Sequence, residues 1–200
     1  MKILLLLLFI IFLNNGLFAQ KNPCNCKETT KIEKQHRTKA KHITNYENYP
    51  KAKYEITTED IIKWENMYST FTRDIKKETE RVHETPEDSL YVLKGYMYFV
   101  KQEANDCDFH IEIGPKNIKS KRRIIVEVTK ENCELQQKIL KQIKLKGFKM
   151  KKQFTKGIPC TIVGIGFYDA AHKPKHHGGI YTHKTSWELH PVKSIKFENE

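Results

Sequence analysis

Two short strings restrict this chain more than anything else in it. In Asp106-Cys107-Asp108-Phe109-His110-Ile111-Glu112-Ile113 and in Trp187-Glu188-Leu189-His190-Pro191, apolar residues alternate with polar ones. A period of two belongs to a strand with one face buried. Phe109, Ile111 and Ile113 therefore face a core, as do Trp187 and Leu189. Asp108, His110 and Glu112 share the opposite face, and Glu188 and His190 do the same.

The rest of the C-terminal half can be read around these two strings. Leu90 to Val100 predicts a long first strand with Gly95 inside it, and Asp108 to Ile113 a second, closed by Gly114-Pro115. Ile124 to Thr129 predicts a third strand. Asn132 then caps a helix in which Leu135, Ile139 and Ile143 line one side and Gly147 ends the run. Pro159 to Tyr168, with Gly164 and Gly166, is a fourth strand. Thr185 to Pro191 is a fifth, continuing to Phe197 with a kink or an edge position at the proline. Three strands, a helix and two strands predict a mainly β fold, an OB-fold-like five-stranded barrel over residues 85–200. A ferredoxin-like or other α+β arrangement would use the same core residues.

Upstream, Lys2 precedes an apolar run from Ile3 to Leu13, then Asn14-Asn15-Gly16-Leu17-Phe18 and the small residue Ala19 before a cut. That is the pattern of a secretory signal peptide over residues 1–19. The run is shorter than the roughly 20 apolar residues of a membrane span, so no stable transmembrane segment is expected after cleavage and the chain is expected to be secreted or periplasmic. Residues 20–56 are polar and Lys-rich and read as a flexible linker. Residues 57–84 read as an amphipathic helix with Thr58 as N-cap and Ile61, Trp64, Tyr68, Phe71 and Ile75 along one face.

Loss of Lys2 with the leader takes the formal charge from +12 to +11. A basic balance favours anionic partners, here nucleic acid or an anionic polysaccharide. All five cysteines (Cys24, Cys26, Cys107, Cys133 and Cys160) follow the leader, so in an oxidising compartment they can pair with one left over. Cys24 and Cys26 are too close to bridge each other comfortably. No Gly-rich nucleotide loop, Ser–His–Asp order or Cys-x-x-Cys redox pair is present.

In an OB barrel the loops joining strands one to two and four to five lie at one end and host ligands. Here they are residues 101–107 and 169–184, the first acidic and the second rich in His and Lys. Asp106, Asp169, Lys173, Lys175 and His183 are the expected ligand-contacting residues. Asp108, His110, His172 and His190 are the expected ligands of a divalent ion, zinc or manganese, with Glu188 as general base. In the usual strand order the second and fifth strands flank the third, which leaves their outer side chains about 10 Å apart. A shared site is therefore expected at the barrel end or in its interior. The same residues also suit a polar network that only braces the barrel.

The element order and the leader make residues 88–200 similar to the staphylococcal-nuclease-like OB superfamily. That resemblance implies calcium-dependent phosphodiester cleavage by arginines and acidic residues around the first three strands. This chain has Asp108, His110 and Glu112 on the second strand instead of an arginine, and residues 147–159 carry lysines but no arginine. The Asp-x-Asp-x-His and Trp-Glu-Leu-His-Pro-Val strings, with Phe167-Tyr168-Asp169-Ala170-Ala171-His172, also resemble uncharacterised exported bacterial proteins. Three expectations result. The first is a secreted OB-like module binding an anionic ligand at the barrel end. The others are a metal-dependent hydrolase, such as a phosphodiesterase, and a non-catalytic envelope protein.

Overall fold

The computed structural model describes residues 22–27, 41–42, 45–48, 54–64, 85–117, 122–169 and 182–198, with the side chains of 182–184 left out. The elements are β1 (Tyr54–Ile56), α1 (Thr58–Lys63), β2 (Leu90–Gln102), β3 (Phe109–Gly114), β4 (Arg122–Val128), α2 (Cys133–Leu145), β5 (Ile158–Tyr168) and β6 (Thr182–Phe197). Strands β2 to β6 close into a barrel in the order β2-β3-β4-β6-β5, with β5 pairing back onto β2. The β4–β6 pair is parallel and the other barrel pairs are antiparallel. This is the OB-like barrel expected from the element order.

Closure depends on β2 serving two neighbours. Leu90 to Met97 pairs with β5, and Tyr96 to Gln102 pairs with β3. The handover falls beside Gly95, where a Cβ would lie 2.6 Å from Ile113 Cγ2, and is followed by a bulge between Met97 and Phe99. β1 runs parallel to Tyr91–Leu93 on the side of β2 that β3 leaves open. Inside lie Leu93, Phe109, Ile111, Ile113, Ile124, Val126, Trp187 and Leu189, with Leu135, Ile139 and Ile143 of α2 in the same cluster. Each of these residues is 8 % exposed or less. β6 runs through Pro191, where the register slips between the Gly164–Val192 and Gly166–Leu189 pairs, so the proline needs no ladder donor.

Several expectations need adjusting. The N-cap of α1 is Thr57, not Thr58: Thr57 Oγ1 accepts from Asp60 N at 3.3 Å while Asp60 accepts from Thr57 N at 2.8 Å. This reciprocal capping box needs an acid three residues on, and Asp60 provides it for Thr57. Ile61 enters the core, and Trp64 packs against Tyr91 and Trp187 at 4.8 and 5.4 Å. The remainder of the expected stripe, Tyr68, Phe71 and Ile75, lies outside the described residues. Asn132 holds the N-cap position of α2, but its side chain donates to Lys193 O at 3.4 Å rather than to the helix.

Within the segment read as a linker, Tyr54–Ile56 is a strand, and a turn at Pro23–Asn25 is covalently fixed. Cys24 bonds Cys133 and Cys26 bonds Cys107, while Cys160 is free and buried. The cross-links span 109 and 81 residues of sequence. Chain-entropy arguments value loops of that length at about 4.5–5 kcal/mol before strain is subtracted.

Cys24→Ser with Cys133→Ser is therefore expected to cost about 3–4 kcal/mol in denaturant titrations. Burial pushes the Cys160 thiol up to about 12, so one equivalent of thiol reagent should be consumed only after unfolding. Labelling of Cys160 in the native protein would contradict this packing.

Candidate functional site

Strand register assembles the site. On β3, His110 alternates outward between Phe109 and Ile111, and on β4, Glu127 does so between Val126 and Val128. His110 and Glu127 are direct partners across the antiparallel pair, and the parallel pairing of Val126 with Leu189 sets His190 beside Glu127. His110, Glu127 and His190 therefore form a row across three strands. His110 Nδ1 is 3.3 Å from Glu127 Oε1, and His190 Nδ1 is 3.1 Å from Glu127 Oε2. Glu188 Oε1 also lies 3.1 Å from His190 Nδ1, and Asp108 Oδ2 lies 3.4 Å from His190 Nε2.

The turn ahead of β3 aims Asp108. Cys107, disulfide-bonded to Cys26, has a positive φ of 68°, and its carbonyl accepts from Gln102 Nε2 and Gln136 Nε2 at 3.2 and 3.1 Å. Asp108 Oδ1 accepts from Lys130 N at 2.9 Å, which leaves Oδ2 directed to the His190 ring. Asp106 Oδ1 accepts from Asp108 N at 3.2 Å.

This outer face is not open to water. Asp108 and His190 are fully buried, and Glu188 is 4 % exposed. The Phe167 ring stands 5.4 Å from that of His190, and the Lys41 ammonium lies 5.6 Å above the Phe167 ring. Burial alone would lower the His190 pKa. The Glu127 charge and the close Asp108 and Glu188 carboxylates outweigh burial and raise it well above the ordinary value. Burial would likewise raise Glu127, but His190, His110 and Lys41 hold it well below the carboxylate range. Glu188 is pushed up to about 7, chiefly by burial and then by the Glu127 charge, and Asp108 is raised by burial. Burial would lower Lys41, yet Asp169, Glu127, Glu188 and Asp106 together raise it.

One ligand atom from each of Asp108, Glu127 and His190 fits within 4.8 Å of the others, a set able to hold a metal ion. Of the expected ligands, Asp108 and His190 meet here. His110 contacts Glu127 and stands outside the trio. His172, Lys173 and Lys175 lie outside the described residues, and of His183 only the backbone, opposite Arg123, is described. Asp169 is buried, with its N donating to Ser186 O at 2.9 Å.

The meeting place differs from the expected barrel end or interior. It is the outer face, because Glu127 of the intervening strand fills the gap between β3 and β6. Sequence reading missed Glu127 and Lys41. A signal for Glu127 did exist, since it is the only acid in Arg122–Val128 and sits at an outward position.

The segment over this face is held by further contacts. His42 Nδ1 is 3.0 Å from Glu131 Oε2, and Tyr46 OH donates to Val192 O at 3.3 Å. Burial would raise Glu131, but the His42 bond and its charge hold it down to about 2 against an ordinary 4.5. A depressed carboxylate stabilises the fold above its unfolded pKa, and that contribution is lost as pH falls through the folded value. Wild type should thus lose stability relative to Glu131→Gln between about pH 4.5 and about pH 2. Parallel urea midpoints over that window would contradict the His42–Glu131 contact. Comparison of the chain with protein-family models, curated proteins and solved structures finds no match.

Proposed function

We propose that this chain is an exported protein whose OB-like barrel holds a divalent metal ion with Asp108, Glu127 and His190 and uses it to hydrolyse an anionic ester such as a phosphodiester. The observation that carries this reading is the convergence of two carboxylates and an imidazole within 4.8 Å. An oxygen-rich set with one imidazole suits zinc or manganese. Three protein ligands leave a coordination position for water. An ion bound there would lower the pKa of that water towards ~7 or polarise a phosphoryl oxygen.

Glu188, 3.1 Å from His190, is the residue placed to carry the proton. Gln102, Gln136 and the Cys26–Cys107 bond hold the turn that carries Asp108, so that ligand is set in advance of binding. Two disulfides and the leader-like start support export.

The reading as a simple anion-binding module fits this face less well. Asp106, Asp108, Glu127, Asp169 and Glu188 converge near it, and these carboxylates repel a bare anion. Nucleic acid or an anionic polysaccharide would need the metal ion between itself and these groups.

The test is metal content of residues 20–200 by elemental mass spectrometry after incubation with zinc or manganese. One ion per chain is expected, lost in His190→Ala and in Glu127→Gln. Metal-dependent cleavage of a nitrophenyl phosphodiester should fall by about 10²–10⁴-fold in Glu188→Gln while the ion stays bound. A wild-type protein that takes up neither ion removes this reading and leaves a polar network that braces the barrel of a structural protein.

A further inference from the structure

Residues 138–156 contain eight lysines (Lys138, Lys141, Lys144, Lys146, Lys149, Lys151, Lys152 and Lys156) and no acid. They carry +8 of the chain's formal +12, leaving +4 for everything else. No Asp or Glu occurs between Glu134 and Asp169, so neighbours in sequence do not neutralise them. All eight of these lysines are exposed. Lys141 and Lys144 lie on the exposed side of α2, one turn apart, and Lys146, Lys149, Lys151 and Lys152 are exposed in the segment that follows.

That segment is docked against the barrel. Phe148 N donates to Ile143 O, Lys151 N to Val100 O and Phe154 N to Tyr98 O, at 3.0, 2.8 and 2.8 Å. The Phe148 and Phe154 rings stack at 4.7 Å, and Phe148 and Met150 pack on the core. With its apolar side chains turned inward, the loop presents its lysines outward from a fixed backbone. The exception is Leu145, which is 70 % exposed between Lys144 and Lys146. Among the described residues, it is the most exposed large apolar side chain.

We infer that this lysine surface, with Leu145 at its centre, docks the protein on an anionic phospholipid bilayer. Lysines around an exposed aliphatic side chain match the lipid interface, where ammonium groups meet headgroup phosphates and the apolar chain enters the acyl boundary. The alternative polyanion, nucleic acid, is served by arginine forks and exposed aromatic platforms. The chain has no arginine after Arg123, and the aromatics of this patch, Phe148 and Phe154, are turned into the barrel. The surface also acts apart from the acidic centre. Eleven residues of α2 separate Cys133 from Lys144, roughly 16 Å of helix and about two Debye lengths at physiological salt. It does not depend on the metal reading.

The test is co-sedimentation of residues 20–200, which lack the apolar leader, with phosphatidylcholine vesicles containing or lacking phosphatidylglycerol. Binding is expected only with phosphatidylglycerol and should weaken as salt rises. Lys144→Gln, Lys146→Gln and Lys149→Gln together should lower affinity about a hundredfold, at roughly fivefold per lysine. Leu145→Ser should lower it by about tenfold while leaving the salt dependence unchanged. All four positions are exposed, so thermal midpoints should match wild type and a loss of binding will not reflect unfolding. Equal binding to neutral vesicles would overturn the inference, as would wild-type affinity in the triple variant. So would tight, Leu145-independent binding of duplex DNA in preference to the vesicles.

Discussion

The double duty of strand β2 is the constraint on which the rest of the molecule depends. Its first half bonds β5 and its second half bonds β3, and the overlap at Tyr96–Met97 is what turns five strands into a closed barrel. The handover is possible because Gly95 brings no Cβ against Ile113. Once the barrel is closed, the registers of all pairs are coupled, since slipping one strand by a residue would turn its whole apolar set outward. The row His110–Glu127–His190 follows from those registers. The site is thus a by-product of closure, and its residues inherit the rigidity of the barrel.

Placing Asp108, Glu127, Glu188 and His190 out of water is costly unless their charges satisfy one another. The His190 imidazole lies among them, with Nδ1 3.1 Å from both Glu127 Oε2 and Glu188 Oε1, while Nε2 stands 3.4 Å from Asp108 Oδ2 without a hydrogen bond between them. Lys41 adds a second cation from a different part of the chain, close to the same carboxylates. His190 and Lys41 thus set two basic groups against the Asp108, Glu127, Glu188 and Asp169 carboxylates. Asp108 and Glu127 come from elements already fixed by α2, the disulfides and the strand ladder, so their positions are set by the fold.

Much of this was readable from local pattern. The period-two alternation in Phe109–Ile113 and Trp187–Leu189 identified the buried and outward faces, and the spacing of Leu135, Ile139 and Ile143 identified the buried side of α2. The same alternation puts Asp108 and His190 on outward faces, and the structure brings them together. Glu127 was passed over because one acid in an apolar strand carries no partner information until its neighbours are known. Lys41 was passed over because a lysine in a polar, Lys-rich stretch has no periodicity to mark it. The cysteine partners were equally hidden. Cys24 and Cys26 are two residues apart, yet Cys26 bonds the turn ahead of β3 and Cys24 bonds the first residue of α2.

By itself, then, the sequence determined which residues face inward, the order of the elements and the uneven distribution of lysines. Each of these is encoded within a few neighbouring positions. Only the tertiary structure decided that the outward polar residues of β3, β4 and β6 share one site, and that this site is buried beneath Lys41 and Phe167. The physical reason is that alternation specifies a side chain's face and says nothing of which strand lies next to it. Neighbours and register are set by closing the barrel, a condition that involves every strand at once.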